Sequence, residues 1–338
     1  MEAHAVENAV VAALVAGVAA LGFAARRSRL WREGLREVAR RRPLALAVIA
    51  FFFATALLAS ISWRDAASDA PGLAAPRSAL DRLFPADFRE RSYSAPLAGV
   101  EFYGAAPLRH PGGHLLGTDI LGRDVLRLAL RGARVALLIG GLTSAIAIPL
   151  ALLFGVSAGY FGGRVDTAVF FVISTLASMP SILLLIALVT AIGRGTLQVC
   201  FALAVTSWVH FARLARGETL KIRELDYVQA ARALGVSELR IILRHVVPNL
   251  GHLVVITFVL TFSQLVLSEA LLSWLGLGID GSWGQMIDQA RDELSRDPII
   301  AWNLAAASTA LFALILAVNR VGDAVRDVLD PRTLRERL

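Results

Sequence analysis

Apolar residues in this chain fall into unbroken blocks, and the arginines sit between the blocks. A helix that crosses a bilayer needs about 20 predominantly apolar residues. Six blocks reach or approach that length, at residues 43–63, 135–160, 167–192, 196–212, 250–275 and 299–318, and each is expected to be a transmembrane helix. A seventh, 9–25, is Ala-rich, and its arginines follow the apolar run. That order differs from a secretory leader, whose basic residues come first. The block is read as an extra N-terminal transmembrane helix, with a helix lying on the membrane surface as the alternative.

Arginine asymmetry orients the bundle, because short cytoplasmic loops carry the excess of basic residues. Residues 26–42 hold eight arginines against two glutamates, and residues 213–244 are also net basic. Two pairs of spans separate these segments, so both lie on the cytoplasmic side together with the C-terminal tail. Residues 64–117 and the net acidic loop 276–298 then lie outside. Arg123, Arg127, Arg131 and Arg134 break the pattern by preceding a span on its outer side. Their spacing of about four places them on one face of an amphipathic surface helix leading into the membrane. The Pro- and Gly-rich outer stretch reads as an irregular connector.

Composition narrows the class. Hydrophobic residues make up 56% of the 338 and charged residues 18%, against about 45–50% and about 25% in soluble domains. With the excess gathered into blocks, a soluble enzyme and a disordered or fibrous chain are excluded. The formal charge of +7 could suggest nucleic acid, but its position beside the apolar blocks makes it a topology signal. One cysteine, Cys200, lies inside a block, so no disulfide framework forms within the chain. Neither a catalytic set nor a metal site is expected.

Individual residues carry weaker signals. Pro149 and Pro180 interrupt apolar runs, where each removes a backbone hydrogen bond and can bend its helix. Gly155 and Gly159 form a small-residue pair suited to close helix packing. Glu269 is expected at the outer membrane boundary, either facing a pathway or gate with Gln264 and Ser268 or snorkelling to the interface. His210 reads as a boundary residue. Asp119, Arg123 and Asp124 could make an outer contact, although local capping by Thr118 or Asp119 is the stronger reading.

The stretch from Asp226 to Asn249 is the most informative. It reads as a helix, a break and a second helix. Gly235 takes the left-handed turn that ends the first helix, and Ser237 with Glu238 opens the second. Ala230 and Ala231 offer a surface that another backbone can approach closely. This pattern resembles the "EAA" loop of importer-type ATP-binding-cassette permeases. Gln229, Ala230 and Ala231 match its first triplet with Gln for Glu, Gly235 matches its glycine, and Pro248 matches its proline; His245 and Val247 replace an Ile and a Leu.

Gly117-Thr-Asp-Ile-Leu-Gly-Arg-Asp-Val125, which contains Asp119, Gly122, Arg123 and Asp124, is similar to a signature of the dipeptide, oligopeptide and nickel permeases. Residues 158–166, 269–278 and 322–332 are similar to further motifs of that family. The resemblance runs from about 43 to 332 and is to the second, "C"-type, of two paralogous subunits. One departure is visible: only Ile279, Asp280 and Gly281 precede Ser282-Trp283-Gly284, where the family has a longer Pro-rich insertion.

The resemblance implies an all-α membrane protein with a six-span type I permease bundle in a bacterial cytoplasmic (inner) membrane. The extra N-terminal helix read from the sequence lies outside that resemblance and adds to the bundle. The chain divides into 1–42 (extra span and Arg-rich segment), 43–63 (first core span), 64–134 (outer connector and amphipathic helix), 135–320 (core, with coupling loop 213–248) and 321–338 (tail). The resemblance also implies a non-catalytic subunit of a peptide importer, with nickel or another small solute as the alternative cargo. The implied partners are a paralogous permease subunit, two ATP-binding-cassette ATPases, an extracytoplasmic solute-binding protein and the lipid bilayer, with no nucleic acid. No cofactor is implied for this chain. ATP and Mg would be bound by the ATPases, which fits the lack of a Gly-x-x-x-x-Gly-Lys phosphate loop. Coupling would run through Tyr227, Gln229, Ala230, Ala231, Gly235 and Pro248. A proton-coupled carrier would need acids within the spans, and a zinc-dependent membrane protease a His-Glu-x-x-His motif; the first are nearly absent and the second is lacking.

Overall fold

Without water, a chain in lipid must satisfy its backbone groups internally, and long apolar runs do so as helices. The computed structural model describes residues 8–13, 17, 36–63, 77–85 and 87–329. Helix α1 spans Pro43–Ser60. A two-residue ladder of β1 (Ser62–Trp63) and β2 (Arg77–Ser78) follows. Then come α2 (Val125–Leu137), a π-turn at Leu138–Leu142 and α3 (Thr143–Phe161). Helices α4 (Gly163–Ser178), α5 (Ser181–Ile192) and α6 (Thr196–Ile222) continue the bundle. The inner hairpin is α7 (Asp226–Ala233) and α8 (Glu238–Ile241). The last elements are α9 (Gly251–Leu272), α10 (Trp283–Leu294) and α11 (Trp302–Leu329).

Among the described residues five helical stretches are long and apolar enough to cross a membrane, or six if α4 and α5 count as one bent span. Block 167–192 was expected to be a single helix, but α4 and α5 meet at 91°. Pro180 supplies the reason: the residue before a proline is driven out of the helical region, and Met179 sits at φ −88°, ψ 136°. Pro149, by contrast, lies inside α3, which continues through it.

The expected surface helix is also corrected. Residues 125–137 run on into α3 through the π-turn, and Val125, Ala129, Ala133, Ala136 and Leu137 pack with Phe52, Phe262, Trp283 and Leu314. One face is buried in protein rather than laid on lipid. Helix α6 runs past 212 to Ile222, and α11 continues from the last span into residues assigned to a separate tail. Most of block 9–25 and residues 330–338 lie outside the described residues. Asn8 itself sits at the outer end of the bundle, where its Nδ2 donates to Ser62 Oγ at 3.3 Å and Arg134 Nη2 donates to its Oδ1 at 2.7 Å.

Helices α3 and α6 form the most extensively packed pair. Gly155 and Gly159 permit this approach: a Cβ at Gly155 would stand 2.4 Å from Ala212 O, and one at Gly159 would stand 2.7 Å from Arg216 O. Two small residues one turn apart open a groove for the facing backbone.

Candidate functional site: an inner hairpin, a cavity and an outer cap

The inner hairpin is fixed by a turn and anchored by buried side chains. Gly235 has φ +77°. Its N–H donates to Arg232 O at 3.0 Å, and Val236 N–H donates to Ala231 O at 3.1 Å. This pair of bonds satisfies the end of α7 in the Schellman arrangement, which needs a left-handed residue. Val228 and Ile241, both fully buried, pack with Val156, Tyr160, Ile222 and Leu250. The anchors hold the hairpin against α3 and α6 while Tyr227, Gln229, Ala230 and Leu234 stay exposed, with Ala231 half-buried.

The hairpin is also tied by polar contacts. Ser237 stands at the N-cap position of α8 but makes no side-chain capping bond, contrary to expectation. Glu238 accepts instead from Tyr160 Oη, and Arg232 lies 5.2 Å above the Tyr160 ring. Arg223 Nη1 donates to Gly159 O at 3.0 Å, Gln229 Nε2 donates to Arg223 O at 2.9 Å, and Asn249 Nδ2 donates to Tyr227 Oη at 3.1 Å. Pro248 is exposed in the turn that leads into α9.

The second feature is a cavity of about 930 Å³ bounded by the α4–α5 break, α6 and α9. Gln264 and Ser268 line it with Thr261, Thr206 and Ser207. Glu269 does not. Residues four apart share a helix face, whereas the next residue is rotated about 100°, so Glu269 points away from Gln264 and Ser268. It is 4% exposed and accepts from Ser273 Oγ at 2.7 Å. Burial at this position removes the snorkelling reading. His210, taken as a boundary residue, and Arg213 both line the cavity. The available signal was the row Thr206, His210 and Arg213, whose spacing of four and three puts them on one face.

The third feature is the outer cap, residues 77–124, built of turns and isolated bridges around a charged interior. Asp119 and Asp124 are buried. Asp119 accepts from Arg123 N at 2.8 Å and Arg123 Nε at 2.7 Å. Asp124, rather than the expected Thr118 or Asp119, caps α2 by accepting from Arg127 N at 2.8 Å. Its second oxygen accepts from His114 Nδ1 at 2.9 Å, and His114 Nε2 lies 3.4 Å from Glu90 Oε1. Burial works to raise the pKa of Glu90, but bonds from Arg109 N, His110 N and His114 outweigh it and hold the carboxyl below its usual range.

Gly122 has φ +69°, and a Cβ there would stand 2.0 Å from Glu90 O. The outer arginines are absorbed by the cap: Arg127 and Arg131 reach buried Asp81 at 2.9 and 3.5 Å. Burial works against the Asp81 anion, yet these cations and Ser78 keep its pKa low. Helix α10 packs against α2, with Trp283 Nε1 donating to Ala129 O at 2.7 Å. Asn303 is buried and donates to Met286 O at 3.3 Å. Glu293, 1% exposed, is raised to about 7, chiefly by burial and then by the neighbouring Asp119. Tyr93 is pushed up to about 12 by burial and by Glu293.

A helical bundle with a braced inner hairpin, a cavity at a broken helix and a folded outer cap defines a multi-pass membrane permease component. The chain belongs to the binding-protein-dependent transport system inner membrane component family, whose profile matches residues 151–335. It is 36% identical over 222 residues to a glutathione transport system permease protein of Pectobacterium atrosepticum, covering 65% of this chain and 73% of that one. It is 32% identical to an oligopeptide transport system permease protein of Bacillus subtilis (65% and 72% covered). It is 36% identical to a dipeptide transport system permease protein of the same species (66% and 70%). Among solved structures, an inward-facing methionine ABC transporter shares the fold at TM-score 0.50 and 21% identity, over 60% of this chain and 97% of that one.

Proposed function

We propose that this chain is one transmembrane subunit of an ATP-driven peptide importer and forms half of the translocation pathway. One observation carries the reading: the inner hairpin buries Val228 and Ile241 against α3 and α6 while leaving Tyr227, Gln229, Ala230 and Leu234 uncovered. An element anchored at its base with an open, small-residue face is built to receive a partner and pass its motion inward. The partner would be an ATP-binding-cassette subunit, one of two, which bind ATP and Mg and hydrolyse the nucleotide. Tyr227, Gln229, Ala230, Ala231 and Gly235 would form the docking face, and Pro248 would set the exit into α9.

A paralogous permease subunit would supply the other half of the pathway, and an extracytoplasmic binding protein would deliver cargo to the outer cap. The peptide class is supported by the names of the relatives, which cover dipeptides, oligopeptides and the tripeptide glutathione. The test is uptake of labelled peptides into vesicles containing the co-purified complex. The expected result is uptake that requires internal-face ATP and the binding protein. Uptake driven by a proton gradient alone, by this chain without ATPase subunits, would overturn the reading.

A further inference from the structure

The cavity beside the broken helix has a one-sided charge inventory. Among its lining residues there is no Asp, Glu or Lys, and Arg213 is the sole permanently charged side chain. Neighbouring cations are neutralised: Arg216 is bound by Asp166 at 2.5 Å and Arg223 by Glu224 at 2.9 Å. Arg213 has no ion-pair or hydrogen-bond partner among the described residues. His210 and Thr206 continue its row along α6. Ser207 Oγ is enclosed without a hydrogen-bond partner, and the Gln264 side chain faces the same space. Around them Ile182, Leu185, Leu203 and Leu265 supply apolar wall. The volume falls within the range of about 300–1,000 Å³ typical of small-molecule sites.

Arg213 and His210 are exposed at the mouth of this space, and an unpaired guanidinium is satisfied best by a carboxylate, which matches its planar fork with two parallel hydrogen bonds. We infer that the cavity is a solute subsite in which Arg213, flanked by His210, holds the terminal carboxylate of a peptide in passage. Thr206, Ser207 and Gln264 face the peptide's amides, and the leucines face its side chains. The subsite rests on the importer reading above and adds which end of the cargo is gripped.

The test compares initial uptake of one tripeptide as the free acid and as its C-terminal amide, in vesicles holding the complete complex with its binding protein. Any preference of the binding protein is common to wild type and variant and cancels in the comparison. Arg213→Gln is expected to lower the acid-to-amide uptake ratio about tenfold, the scale of one lost charge-assisted interaction. Arg213→Lys, which keeps the charge without the fork, is expected to lower it by a smaller factor and supplies the reading if the Gln variant does not assemble. An unchanged ratio overturns the subsite, including the case where both rates fall together, as for an arginine that anchors to lipid phosphate. A wild-type complex that takes up neither peptide overturns the importer reading, and the subsite with it.

Discussion

The inner hairpin and the outer cap are both dense in motif residues, yet they use them in opposite directions. In the hairpin the apolar residues Val228 and Ile241 are buried and the motif positions Gln229, Ala230 and Gly235 remain uncovered. In the cap the motif itself is buried: Asp119, Asp124 and Thr118 are occupied by Arg123, His114, Arg127 and Ser94. A buried carboxylate is stable only when it is paired and hydrogen-bonded, so the cap's charges are committed to its own frame. A motif in sequence marks a constrained position, and burial decides whether the constraint serves a partner or the fold.

This contrast can be broken at its two glycines. Gly235→Arg has open space around its Cβ but loses the left-handed turn and puts a bulky cation on the proposed docking face. The chain should still insert, and recovery of ATPase subunits on co-purification should be lost; recovery like wild type would place docking elsewhere. Gly122→Val should act on the fold instead. Its side chain meets Glu90 O and its φ is positive, so destabilisation of roughly 3 kcal/mol or more is expected. The readout is a fall in the unfolding midpoint of the purified protein, and an unchanged midpoint would show that the close approach of Gly122 to Glu90 is not needed for stability.

The smallest effect concerns pH. Glu293 stays protonated in the folded protein up to about 7, against 4.5 for an exposed glutamate. A raised acid contributes its full stabilisation below 4.5 and loses it as pH climbs through 7, by at most about 3 kcal/mol. The unfolding midpoint should therefore be higher at pH 5 than at pH 8, and Glu293→Gln should flatten that difference. A midpoint rising with pH in this window, removed by the same substitution, would reverse the assignment.

Much of this contrast was legible in the chain and some was not. The Gly235 turn was readable because a helix end needs a left-handed residue and only glycine adopts one without penalty. Pro149 and Pro180 looked alike, and neighbours separated them: Pro149 is flanked by Ile148 and Ala151, both buried in the α3–α6 contact, whereas Pro180 and the residues just before it are exposed. Glu269 looked like a pathway residue because its depth was computable, while its direction depends on a rotation of about 100° per residue and on where α10 packs. His210 and Arg213 were passed over because a cation near an inner boundary has an ordinary explanation in topology.

By itself the sequence determined most of the core spans and the hairpin turn, and it carries the signal for their orientation. Lipid forces apolar blocks into helices, loop arginines select the side, and turn chemistry is local. Only the tertiary structure decided which polar groups are sealed and which are free. That outcome depends on the partners brought from distant positions, as when His114 meets Glu90 and Asp124 while Arg213 meets none among the described residues.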